Sequence, residues 1–172
     1  METHQEALRL CINLAREALQ AGDSPFGAVL VNAHGTIIHH DRNRTVTGEA
    51  GDFRADATLH PELTIARWAH RHLPPEERAS AVVYTSGEHC AMCAAAHAFV
   101  GLGRIVYVSS TEQYESWKEE TGVEKGPVAA LPINAVAPDV RVEGPVAGLD
   151  MEVKALHLER WRRRKDEGAG WE

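Results

Sequence analysis

The stretch AVVYTSGEHCAMCAAAHAFVGLGRIVYVSS, residues 81–110, decides the fold class. It opens on AVVYTS and closes on RIVYVSS, two short apolar runs of strand type. Between them CAMCAAAHAFVGL reads as a helix. A strand, a helix and a second strand in that order imply a crossover, which lays the two strands parallel in one sheet.

Upstream, Ala7, Leu10, Cys11, Leu14, Ala15 and Ala18 recur at helical spacing, and AGDSP ends that segment. FGAVLVN then reads as a buried strand, and AHG turns it into TIIHHD, an antiparallel hairpin. Residues 43–60 have no period and form a long loop, the kind that carries function or moves. PELTIARWAHRHL is a helix with Pro in its first turn, closed by Pro74 and Pro75.

Downstream, TEQYESWKEETG is helical, VRVEG offers one more short strand, and the chain ends in a helix over about 148–166. The expected fold is therefore α/β, a three-layer α/β/α single domain over 1–172 with a central mixed five-stranded sheet. In such sheets ligands sit beyond the carboxyl ends of the strands, where helix N-termini point. His60-Pro61-Glu62 and Cys90–Cys93 both fall where helices begin.

The 172 residues are enough for one core, and a hydrophobic fraction of 44% is that of a soluble globular chain. A formal net charge of -7 speaks against broad binding to phosphate backbones, so a nucleic-acid partner is not expected. No apolar run spans a membrane and the N-terminus lacks a signal-peptide pattern. Three cysteines, two of them spaced C-x-x-C, suit a reducing cytoplasm better than a disulfide framework.

Cys90 and Cys93 share a helix face at i and i+3, and alone they fit a redox pair, a structural metal clip or part of a catalytic metal site. His60 discriminates. Pro61 keeps it extended, just outside its helix, so that His60 and Glu62 can both reach one site. His60, Cys90 and Cys93 are donors of the type zinc prefers and leave the fourth tetrahedral position to water. Glu62 stands where a proton shuttle is needed. Such a set is hydrolytic machinery for a ring carbon that loses ammonia.

Taken in order, DSPFGAVLV, DRNR, LHPEL, VVYTSGEHCAMCAAAH and RIVYVSS resemble the cytidine-deaminase-like superfamily, within it the guanine deaminase, cytosine deaminase and tRNA adenosine deaminase group. His-x-Glu followed by Pro-Cys-x-x-Cys is the signature of zinc deaminases. The resemblance implies one zinc ion per chain on His60, Cys90 and Cys93, with Glu62 as proton shuttle. It implies that Asn43 and Phe26 hold the substrate ring, with the backbone of Ala28 and Glu88 beside it. Glu112 and Glu115 are the acids offered for a purine edge, and His89 is a further substrate contact. It also implies a cytoplasmic homodimer in purine metabolism acting on a small amino-heterocycle and water, guanine-like before cytosine, with the last helix set against a partner subunit.

Three departures stand out. Pro61 replaces the family's usual Ala or Gly, His89 replaces its usual Pro, and the 43–60 loop is longer than in most guanine deaminases.

Other residues have plainer readings. His97, one turn past Cys93, would make a four-ligand structural zinc site if it joined His60 and the cysteines. It lies about 6 Å further along the helix axis, away from the terminus. Asn43 by pattern alone is a turn residue and Phe26 a core aromatic. Cys11 belongs to the apolar face of the first helix. RWRRRK is a solvated helix end whose charge suits the dipole.

Overall fold

The computed structural model describes residues 2–167. Five strands, β1 (Gly27–Val31), β2 (Ile37–Arg42), β3 (Val82–Gly87), β4 (Ile105–Ser109) and β5 (Val142–Glu143), form one sheet in the order β2-β1-β3-β4-β5. β1 runs antiparallel to β2 and β3, whereas β3, β4 and β5 are mutually parallel. The mixed five-stranded sheet expected from the sequence is the one observed. All five residues of β1 are buried, as a central strand covered on both faces requires.

The helices are α1 (Glu2–Ala21), α2 (Pro61–His72), α3 (Pro75–Ser80), α4 (Ala91–Val100), α5 (Thr111–Thr121), α6 (Ile133–Val136) and α7 (Leu149–Asp166). Strand alternation divides the core in two. Val29, Val31, Tyr84, Val106 and Val108 face α1, α5 and α7. Ala28, Leu30, Val83 and Ile105 face α2 and α4, where they meet Ile65, Ala66, Ala69 and Ala94. At Gly27 the backbone of α1 comes so close that a Cβ would stand 2.5 Å from the Cys11 carbonyl oxygen. Only glycine admits that approach.

The sequence reading missed α3 and α6. Pro74 and Pro75 end α2, but Pro75 also occupies the first turn of α3, where a missing N–H costs nothing. α6 is a single turn, too short for any periodicity to show. The long loop after β2 does exist as a loop, bearing one isolated bridge between Glu49 and Asp52. Asp23, fully buried, anchors it: its carboxylate accepts from the Val46 and Thr47 N–H groups, the Thr47 hydroxyl and the Arg42 guanidinium. Burial would push that carboxyl up, but these hydrogen bonds outweigh it and hold it below its usual range.

α7 packs on α1, β4, β3 and α5 of its own chain. Its buried residues are Val153, Leu156, His157 and Arg160, so contact with a partner subunit would use the opposite face.

Candidate active site

The antiparallel pairing of β1 with β2 and β3 gathers the interesting residues at one edge of the sheet. Ala28 lies opposite Thr85 on one side and Asp41 on the other, and Gly27 opposite Arg42. Phe26 and Asn43 therefore leave the sheet beside the carboxyl end of β3, and the Asn43 N–H donates to the Phe26 carbonyl at 2.9 Å. α2 and α4 begin over the same edge.

His60 and Cys90 are the N-cap residues of those helices, both extended, with φ/ψ of -80/138° and -66/170°. Extension of the residue before Pro61 is what the proline demands. Cys90 thus stands just outside the helix rather than on its face, a change from the i, i+3 expectation that leaves the cysteines convergent. Neither N-cap side chain makes the usual cap hydrogen bond. Ser, Thr, Asp or Asn would ordinarily do so at this position. Here the side chains turn toward each other.

The His60 Nδ1 is 3.7 Å from the sulfurs of both Cys90 and Cys93. His60, Cys90 and Cys93 form the metal-holding group found among the described residues, with all ligand atoms within 4.8 Å of one another. Zinc ligands at ordinary Zn–N and Zn–S lengths in a tetrahedron stand roughly 3.6 Å apart, so the set fits one zinc ion. The charges agree. A hydrogen bond from Cys93, then His60, brings the Cys90 thiol down to about 4, while Cys93, as the proton's holder and by burial, is pushed well up. The N-termini of two helices face the pair, which favours thiolates there.

Glu62, in the first turn of α2, is 5% exposed. Its Oε1 accepts from the Thr85 hydroxyl at 2.8 Å, and the Cys93 sulfur lies 3.9 Å from Oε2. Burial raises the Glu62 carboxyl above its ordinary value, with the His60 charge pulling the other way. A carboxyl so placed gains and loses a proton nearer neutrality than an exposed one. Thr85, whose hydroxyl is also 2.9 Å from the Gly87 carbonyl oxygen, was not singled out in the sequence. The signal was available: within β3 its alternation with Val83 turns a hydroxyl into an otherwise apolar face.

The remaining residues fall into place differently. Asn43 is buried, and its Oδ1 accepts from the Thr45 N–H and hydroxyl, so the turn reading holds for that oxygen. The Phe26 ring lies against Gly87, where a Cβ would be 2.9 Å from its Cε1. Glu88 does more than supply backbone: one carboxylate oxygen accepts the Thr111 N–H and the other the Ile133 N–H, each at 2.8 Å, fastening the starts of α5 and α6 to the cysteine loop.

His89, expected beside the site as a substrate contact, lies in the interior next to the cysteine loop. It is 1% exposed and packs edge-to-face on His97 at 5.4 Å, because it points away from its neighbour Cys90 into the interior. His97 stays out of the metal group, its Nε2 bonded to the Gly103 carbonyl oxygen at 2.7 Å. Glu112 is exposed, and Glu115 pairs with Lys118 at 3.0 Å and lines a separate cavity of about 400 Å³ with Glu119 and residues 125–130.

The chain is similar to known deaminases. A guanine deaminase of Bacillus subtilis is 36% identical over 91 residues, 52% of this chain and 54% of that protein. A tRNA-specific adenosine deaminase of Agrobacterium fabrum is 35% identical over 100 residues, 58% of this chain and 61% of that one. The chain thus spans between half and two thirds of the length of these relatives. The structure of a guanine deaminase from Nitrosomonas europaea superposes with a TM-score of 0.64 at 21% identity, covering 90% of this chain and 82% of that one, which is likeness of fold. The model of the cytidine and deoxycytidylate deaminase zinc-binding region matches residues 1–109, the segment that holds His60, Glu62, Cys90 and Cys93, and the chain belongs to that family.

Proposed function

We propose that the protein is a zinc-dependent hydrolytic deaminase of a small amino-heterocycle, a guanine-like purine before cytosine. The observation that carries this reading is the buried Glu62 carboxyl, fixed by Thr85 beside a three-ligand metal set that leaves a position open. A structural zinc site would be closed by a fourth ligand and has no use for such an acid.

His60, Cys90 and Cys93 would hold the zinc ion, which would supply Lewis acidity and bring the pKa of a water down toward neutrality. Glu62 takes the proton that water gives up as its oxygen bonds to the ring carbon. It then delivers that proton to the exocyclic nitrogen, which leaves as ammonia while the carbon keeps the oxygen. Thr85 holds one Glu62 oxygen, so the other is the one that moves the proton. Asn43 meets the ring through its amide nitrogen, Phe26 forms a wall, Ala28 leaves room, and the Glu88 backbone lies alongside. An acid for a purine edge would come from α5 as Glu112 or Glu115, of which Glu115 is already paired with Lys118.

The guanine deaminase of Bacillus subtilis supports a purine base. The tRNA-specific relative supports a second reading, with an adenosine in tRNA as substrate. The net charge of -7 weighs against it. The reading includes a cytoplasmic homodimer: α4 is apolar around its circumference and Phe99 on it is 90% exposed. Among the described residues, no helix is long and apolar enough to cross a membrane.

Ammonia release from guanine, cytosine, adenine, their nucleosides and tRNA tests the proposal, with Glu62→Gln as control. Release from guanine that the control abolishes is the expected result. Release only from tRNA, falling steeply with salt, would replace it by the second reading.

A further inference from the structure

His157 lies on α7, far from the metal ligands in sequence, and is 1% exposed. Its ring is 4.8 Å from that of Phe26 at 56° and 4.9 Å from that of Tyr114 at 71°. Phe26 and Tyr114 are themselves 5.8 Å apart, so the three rings close a triangle. Trp161 and Trp117 back it at 5.6 and 6.3 Å. Its Nε2 has no hydrogen-bond partner.

A buried polar atom left unpaired works against stability, and a phenylalanine would fill this apolar box without that cost. Cohesion alone therefore does not account for a histidine here. An imidazole edge carries more positive charge than a benzene edge and orients more strongly against the faces of neighbouring rings. The ring it orients touches the site. Phe26 abuts Gly87, whose carbonyl oxygen is 2.9 Å from the Thr85 hydroxyl, which in turn holds Glu62 at 2.8 Å.

We propose that His157 is a positioning residue: from α7 it fixes the pitch of the Phe26 ring against Gly87, and through that ring the seat of the heterocycle. The inference rests on the reading of Phe26 as a wall of the substrate site. His157 itself touches neither the metal set nor Glu62, so its effect falls first on substrate binding through the Phe26 ring.

His157→Phe tests it because stability and binding are expected to move in opposite directions. Melting temperature should rise as the unpaired nitrogen goes, KM should rise about fivefold, and kcat should stay within about twofold. His157→Leu, which keeps an apolar side chain but removes the ring, should raise KM by about tenfold. An unchanged KM in both variants, with wild-type turnover measurable, would overturn the inference. Aromatic NMR of Phe26 in the unliganded protein keeps the two proposals apart. If the wild type deaminates nothing, the functional reading fails, and Phe26–Gly87 NOEs that weaken in both variants still support the positioning role. Unchanged Phe26–Gly87 NOEs overturn that role.

Discussion

The start of α5 on one face of the sheet and the starts of α2 and α4 on the other are used in opposite ways. On the face of α1, α5 and α7, α5 begins with a complete capping box, the Ser110 side chain accepting from the Gln113 N–H and the Gln113 side chain from the Ser110 N–H. On the face of α2 and α4, the N-caps are His60 and Cys90, and neither caps anything. α5 spends its start on stability, whereas α2 and α4 spend theirs on ligands. A chain that leaves two N-termini uncapped in the same place has given up roughly 1 kcal/mol at each, and the return is a set of donors aimed at one point.

The largest effect should come from Glu62→Gln. The amide keeps its place beside Thr85 but cannot shuttle a proton, so kcat should fall by about 10²–10⁴-fold. Melting temperature should hold or rise, because a buried carboxyl is replaced by a neutral group. Loss of fold in this variant would break the contrast between the faces.

Next in size is His60→Ser. Zinc content, measured by atomic absorption, should fall from near one per chain to near zero, since the set loses its only nitrogen donor. Serine gains a cap, so the metal-free variant should be more stable than metal-free wild type by about 1 kcal/mol in urea unfolding. A metal-free variant less stable than its parent would mean His60 contributes packing that outweighs its missing cap.

On the opposite face, burial depresses His157 to about 3 in the folded protein. An unfolded histidine titrates near about 6.5. Between those values the unfolded chain binds a proton that the folded one refuses. Stability from this group is complete above the higher value and falls by about 1.4 kcal/mol per pH unit as the medium is acidified. His157→Phe should remove that contribution, flattening the acid limb measured by denaturant titration at a series of pH values.

The smallest effect belongs to Ser110→Ala. Loss of the cap should cost about 1 kcal/mol and leave zinc content unchanged. A fall in zinc content would show that the two faces are not independent, with Glu88, which binds the Thr111 N–H next to this cap, as the connection.

Most parts legible in the sequence share a property: they are set by residues near one another in the chain. The crossover over 81–110 follows from run lengths and periods, and the hairpin from AHG between two strand runs. His60 stands extended because Pro61 follows it. The ligand set was readable because zinc chemistry restricts donor types and spacing, even though His60 and Cys90 are thirty positions apart.

The rest depended on contacts that no spacing encodes. Glu88 meets Ile133 across 45 residues, and Thr85 meets Glu62 across 23. For His89 the sequence gives proximity to Cys90 but not direction, and its ring packs on that of His97. Glu112 and Glu115 illustrate the same gap, since their order after β4 does not say which way α5 turns them.

The sequence by itself determined the layered α/β order, the zinc-type donor set and the acid beside it, because local steric rules and ligand chemistry act on neighbouring or type-restricted residues. Only the tertiary structure decided that Thr85 holds that acid, that Glu88 fastens two helix starts, and that His157 reaches Phe26 from the last helix. Those contacts join distant segments, and they exist only once sheet register and helix packing have fixed where every side chain points.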